Sequence, residues 1–172
     1  MDITMRREQS EDYDDVYQLV KVSFATSSDD DGTETADYLD DVRKKDAFIP
    51  ELSFLALDGD RIVGQIVLYK TNITTSAGVV TELLLSPISV HPEYFRRGIA
   101  RQMVEFALGQ AKIMGYRAVF LCGDPNFYHK LAFQPTYAYQ IHHINDASAE
   151  WSMVRELYEG ALTGITRTIN TN

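Results

Sequence analysis

Residues 95–101, Phe95-Arg96-Arg97-Gly98-Ile99-Ala100-Arg101, lie where an apolar run gives way to helix-like periodicity. Small residues at 98 and 100 beside three arginines suit one kind of chemistry, the binding of an anion. The first amide N–H groups of a helix have no intrahelical partner, and the aligned peptide dipoles add partial positive charge there. A phosphate can sit on such an end if the backbone is open to close approach. Gly98 and Ala100 keep it open, while Arg96, Arg97 and Arg101 supply cationic cover, with Arg97 and Arg101 one turn apart. No G-x-x-x-x-G-K-[ST] is present, nor a G-x-G-x-x-G, so nucleoside-triphosphatase and dinucleotide loops are set aside.

The elements around this joint read as alternating strands and helices. "ITMRRE" is a first strand. A helix opens at Ser10, with Tyr13, Val16, Tyr17, Val20 and Phe24 as its buried stripe. Residues 34–45 form a second, more polar helix. Two apolar runs around Asp58-Gly59-Asp60 make a hairpin. "VVTELLLSPISV" is a buried strand with an irregularity at Pro87. A helix runs from Ile99 to Met114 and stops at Gly115, with Ile99, Met103, Ala107 and Met114 on one face. "YRAVFLCG" is a strand, "DPNFYHKLAF" a loop and short helix, "YAYQIHHI" a strand, 147–157 a helix, and "ALTGITRTIN" a last strand. The fold class expected is mixed α/β around one central sheet, a single domain over residues 1–172.

The chain has 25 Asp and Glu against 16 Lys and Arg, a net charge of −9, which argues against a general nucleic-acid partner. Its acid is concentrated at 11–15 and 27–41. No apolar run approaches the roughly 20 residues that span a bilayer, so no membrane role is expected. The N-terminus lacks a secretory apolar core, so a cytoplasmic location is expected. Cys122 is the one cysteine, and adjacent His142 and His143 face opposite ways in a strand, so no metal site is expected.

The stretch "ISVHPEYFRRGIARQMVEFALGQAKIMGYRAVFLCGDPNFYHKLAFQP" resembles the GNAT N-acetyltransferase superfamily. Its signature is a strand ending V-x-P, then [Q/R]-x-x-G-x-[G/A], then a helix. Residues 95–100 fit with Phe95 in place of the Gln or Arg. Downstream, Tyr128 takes the place of the tyrosine in the family's Y-x-x-x-G-F, with Ala132 replacing the glycine. The "GDP" at 123–125 and "ALTGI" near the end suggest a bacterial branch of largely unassigned substrate.

The resemblance implies a GNAT fold, whose central mixed sheet splays between two parallel strands, here "LLSPISV" and "YRAVFLC". It implies acetyl-CoA as co-substrate, with pantetheine against Ile88, Ser89 and Val90, and pyrophosphate on residues 96–101, Ile99 included. Asn126 would accompany the cofactor arm. The Val90 amide would face the thioester oxygen, and Tyr128 would donate a proton to the departing thiolate. Glu82, the one carboxylate on the strand leading to the splay, is the candidate base, ahead of Glu51, His91 and His129. The activity implied is direct acetyl transfer to a primary amine, on a small molecule or a protein, in a ternary complex. The competing class is a non-catalytic acyl-CoA-binding or sensing module, against which Tyr128 counts. The C-terminal region around Trp151 is open to two uses, an acceptor pocket or a homodimer contact.

Overall fold

Gly59, with φ of +59°, closes a tight turn between β2 (Ser53–Asp58) and β3 (Arg61–Thr75), which pair antiparallel from Asp58↔Arg61 to Ser53↔Val67. A left-handed residue costs glycine little, because there is no Cβ to clash. β1 (Ile3–Arg7) adds to β2 antiparallel. The computed structural model describes residues 1–26, 29–165 and 167–169, and the chain divides into two units. One holds Met1–Tyr69 with Ser86–Ala107, the other Lys70–Leu85 with the residues from Leu108 onward.

In the first unit, α1 (Tyr13–Phe24) and α2 (Thr33–Arg43) bury Val16, Val20, Ala36 and Leu39 against Leu55, Leu57 and Val67. Alternation sends Phe54 and Gly64 to the opposite face. There Met103 of α3 (Ile99–Ile113) packs so closely on Gly64 that a Cβ would lie 2.8 Å from its sulfur, and Phe106 meets Phe54 edge-on at 5.0 Å. Glu8 is buried after β1, accepting from Ser53 Oγ at 2.8 Å and from the Arg43 guanidinium, which stacks 4.0 Å from the Tyr13 ring centre. These contacts tie β1, β2, α1 and α2 together.

The second unit takes β4 (Gly78–Val90) as far as Leu85, and there it pairs parallel with β5 (Ala118–Cys122) at Leu83↔Val119 and Leu84↔Phe120. The other edge of β5 pairs antiparallel with β8 (Ser152–Glu156), from Ala118↔Glu156 to Cys122↔Ser152. α4 (Pro125–Tyr128) follows β5, and β6 (Gln134–Pro135) lies on β8. β7 (Ile141–His143) runs parallel to β9 (Arg167–Ile169), which meets β3 at Ile73↔Ile169. The mixed α/β class expected from the sequence is the class observed. Among the described residues no helix is long and apolar enough to cross a membrane.

Several expectations need correcting. The helix expected over 147–157 is instead strand β8: Ser152, Met153 and Val154 are all buried, so no alternation marks them, and pairing with β5 decides the outcome. Of "YAYQIHHI" only Ile141–His143 is strand; Thr136–Tyr139 is a 3₁₀ turn ended by Gln140 at φ +58°. Ser10 begins a 3₁₀ turn, with the α-helix starting at Tyr13. α3 stops at Ile113, leaving Met114 exposed rather than on the buried face. The irregularity at Pro87 is a cis bond inside a continuous strand. Thr166 and Asn170, within the expected last strand, lie outside the described residues.

Candidate active site

A 3₁₀ turn, Pro92–Tyr94, leads from β4 into the joint. Arg96 has φ +61° and Gly98 φ +79°, and α3 begins at Ile99. The Gly98 carbonyl accepts the Gln102 amide at 3.1 Å, so the amides of Ile99 and Ala100 precede the first helical bond and have no acceptor within the helix. Left-handed residues alternating with right-handed ones turn successive N–H groups into a concave, anion-binding nest. A Cβ on Gly98 would meet nothing within 4 Å, so the space in front of that nest is open. Ile99 is buried and anchors the turn, while Arg96, Arg97 and Arg101 are exposed. Phe95 is also exposed, and its amide already donates to the Pro92 carbonyl at 3.1 Å, which leaves it no backbone donor for a ligand.

On β4 the His91 amide donates to the Val63 carbonyl at 2.8 Å, fixing which backbone groups face β3. Backbone direction alternates along an antiparallel strand. The Ile88 and Val90 amides therefore point off the opposite edge, and the backbone of Ser89 faces β3. The Ser89 side chain is buried and donates to Gln65 Oε1 at 3.2 Å. The Val90 carbonyl lies 2.9 Å from Ser23 Oγ of α1. The Ile88 and Val90 amides thus face away from β3, whereas Ser89 is held by its neighbour.

Tyr128 closes α4. Asp124 caps that turn by accepting the Asn126 amide at 2.9 Å, and the Asn126 side chain is exposed. The Tyr128 ring packs edge-on between Phe127 and Phe133, at 4.9 and 5.6 Å. Gly123 makes room for it, since a Cβ there would overlap the ring. Burial pushes the phenol up to about 12, and among the described residues its hydroxyl has no hydrogen-bond partner. It is a protonated donor with its O–H uncommitted.

Glu82, the candidate base, is buried and engaged by neighbouring groups. Its side chain is 2% exposed, and Oε1 accepts from Arg117 Nε at 2.6 Å. Oε2 accepts the Arg117 amide at 3.0 Å and the Ala118 amide at 3.4 Å. This carboxylate caps the start of β5 and fastens it to β4, next to their parallel pairing. Among the described residues no group of three or more His, Cys, Asp or Glu side chains is arranged to hold a metal.

Sequence reasoning missed Gln65, Gly123 and Ser23. Gln65 was detectable as the one polar residue in the apolar run "IVGQIVLY". Gly123 carried a signal as a glycine directly after a strand. Ser23, at the end of an amphipathic helix, carried none.

The sequence model described as "Acetyltransferase (GNAT) domain" matches residues 4–136. The chain belongs to the GNAT acetyltransferase family. Among curated proteins it is similar to the uncharacterized N-acetyltransferase YjhQ of Escherichia coli, 24% identical over 103 residues, covering 60% of this chain and 57% of that one. It is also similar to the uncharacterized N-acetyltransferase YhbS of the same species, 32% identical over 88 residues, 48% of this chain and 49% of that one. The chain therefore aligns with about half the length of these curated relatives. Among solved structures, E. coli YhbS in complex with CoA matches with a TM-score of 0.82 at 23% identity, over 99% of this chain and 89% of that one. A Brucella melitensis GNAT acetyltransferase in complex with acetyl-CoA matches with a TM-score of 0.66 at 22% identity, over 78% and 84% of the two chains. At such identities these GNAT structures speak to the fold.

Proposed function

We propose that the protein is an acetyl-CoA-dependent N-acetyltransferase that passes the acetyl group directly to a primary amine, with both substrates bound together. The observation that carries this reading is the nest formed by left-handed Arg96 and Gly98 at the start of α3, which suits a pyrophosphate. The co-crystallised CoA and acetyl-CoA of the related structures support it.

The amine nitrogen, as its free base, attacks the thioester carbonyl. Negative charge develops on the carbonyl oxygen, and the Val90 amide, directed away from β3, is the donor assigned to it. Collapse breaks the C–S bond, giving the amide and the CoA thiolate, to which the Tyr128 hydroxyl supplies a hydrogen bond and then a proton; the proton lost by the attacking nitrogen passes to solvent, from which the phenol is restored. Glu82 takes no part in this scheme, because Arg117 and two backbone amides occupy its carboxylate. The net charge of −9 favours a cationic amine as acceptor, drawn toward an acidic protein before it sheds its proton.

Calorimetric titration of acetyl-CoA into wild type and Gly98→Glu tests the reading. Wild type should bind in the micromolar range, and the variant, with a carboxylate directed into the open space before the nest, should lose at least about tenfold in affinity. A folded wild type that does not bind acetyl-CoA ends the proposal.

A further inference from the structure

Gly123 and Trp151 face each other just past the Cys122↔Ser152 pair of β5 and β8, the Gly123 amide donating to the Trp151 carbonyl at 2.9 Å. Partners directly opposite in an antiparallel pair send their Cβ atoms to the same face, about 5 Å apart. A Cβ on Gly123 would overlap the Tyr128 ring. The Trp151 side chain therefore leaves the sheet on the Tyr128 side. Phe127 flanks the Tyr128 ring edge-on, with centres 4.9 Å apart. Trp151 and Phe127 are each 38% exposed, so two large rings beside the candidate proton donor present apolar surface to solvent. The indole is braced from behind: buried His143 packs edge-on against it at 4.6 Å, and His143 Nδ1 accepts the Asn145 amide at 3.2 Å. The carboxylates of the flanking loops each spend an oxygen locally. Glu150 accepts from the Tyr137 hydroxyl, Asp146 from the Ser148 amide at 3.0 Å, and Asp124 from the Asn126 amide at 2.9 Å.

We infer that Trp151 and Phe127 form the surface that receives the body of the acceptor, so that the protein prefers primary amines carrying an apolar group over short polar amines. The inference rests on the acetyltransferase reading above and deepens it. In the tetrahedral adduct the amine nitrogen and the departing sulfur are bonded to one carbon. A Tyr128 hydroxyl placed to protonate that sulfur therefore has the acceptor as its neighbour, and whatever the amine carries meets the rings beside Tyr128. An apolar group there is taken out of water together with the exposed faces of both rings, which is favourable in proportion to the area removed. A flat group gains a further contact with the indole, edge-on or offset. Because His143 already fixes the indole, little ordering cost opposes this. A hydroxyl in the same place would lose its water and find apolar carbon instead.

The test combines binding and turnover. Trp151 is the one tryptophan of the chain, so its emission reports occupancy of this surface directly. With CoA bound in place of acetyl-CoA, phenethylamine should change that emission saturably, and ethanolamine at the same concentration should not. In steady-state thiol release from acetyl-CoA, wild type should show a kcat/KM for phenethylamine about tenfold above that for ethanolamine. Trp151→Ala should reduce the ratio to about twofold, chiefly through a higher KM for phenethylamine. Trp151→Phe, which keeps a ring against His143, should retain most of it. Calorimetric titration of acetyl-CoA checks that each variant is folded. A ratio near one in wild type, or one that survives in Trp151→Ala, overturns the inference and leaves the acetyltransferase reading standing. So does a kcat/KM for putrescine above that for phenethylamine, or an indole that stays silent while CoA is bound. Failure of wild type to bind acetyl-CoA overturns the acetyltransferase reading and this inference with it.

Discussion

Replacing Tyr128 with phenylalanine removes one oxygen from a ring that is otherwise held by Phe127, Phe133 and the space at Gly123. The phenol is pushed up to about 12 by burial, while a thiol sits near 8.5. Complete transfer to the thiolate is thus uphill by roughly 3.5 pH units, or about 5 kcal/mol. Donation that strengthens as the C–S bond stretches is the smaller and sufficient contribution. A hydrogen bond to a charged partner contributes about 1.5–3 kcal/mol, which corresponds to a loss of roughly 10- to 160-fold in kcat. Acetyl-CoA affinity should change less than about twofold, since the hydroxyl acts on charge that appears only during reaction. Stability should not fall, because the hydroxyl has no partner to lose among the described residues. The raised pKa adds an alkaline signature. The folded state holds its proton more tightly than the unfolded chain, so this contribution is complete below pH 10 and lost as pH rises through about 12. Wild type should lose about 3 kcal/mol across that window relative to Tyr128→Phe. The assays are thiol release at saturating acetyl-CoA, calorimetry, and urea unfolding at several pH values. An unchanged kcat in a folded variant would falsify the role given to Tyr128, as would a fall in kcat that merely tracked lost stability.

Two further perturbations address the buried polar groups. Arg117→Met leaves the Glu82 carboxylate buried with only backbone partners, and should cost about 3 kcal/mol in urea unfolding, at the low end for a broken buried pair because Arg117 is itself one-third exposed; adding Glu82→Gln should recover part of that, and no recovery would mean the pair is not coupled. Gln65 Nε2 is the buried side-chain donor left without a partner among the described residues, so Ser89→Ala alone should destabilise by about 1–3 kcal/mol, whereas Gln65→Met with Ser89→Ala should be neutral or stabilising in thermal and urea melts.

The parts legible in the sequence were those governed by local rules. The β2–β3 hairpin could be read because Gly59 is needed at a positive φ, and α3 because its apolar positions recur at helical spacing. The turn into α3 could be read because Gly98 stands where the backbone takes a positive φ just before the helix begins at Ile99. β8 could not be read. Its residues are buried on both faces, so they show no period, and their state is set by an edge of β5 thirty residues earlier. The engagement of Glu82 escaped the sequence for a related reason. Position along a strand indicates which face a carboxylate takes, but the arginine that occupies it lies 35 residues downstream.

The contrast between Glu82 and Tyr128 bears on how a site is recognised when two candidates have equal chemical standing. Both are titratable, both are mostly buried, and both belong to the second unit. What separates them is the state of their hydrogen-bonding capacity. Glu82 has an oxygen on Arg117 and an oxygen on the amides that begin β5, so using it as a base would dismantle the capping of that strand. Tyr128 keeps its O–H uncommitted although burial alone would favour pairing it. The ring is buried, but the hydroxyl oxygen is not among the enclosed, unpartnered side-chain atoms of the described residues, so it is open to a bound substrate atom. The same reasoning orders the backbone of β4, where the amides of Ile88 and Val90 face away from β3 and that of Ser89 faces it. Under the proposed mechanism, chemistry falls to donors that folding leaves over, and structure to those it has already engaged.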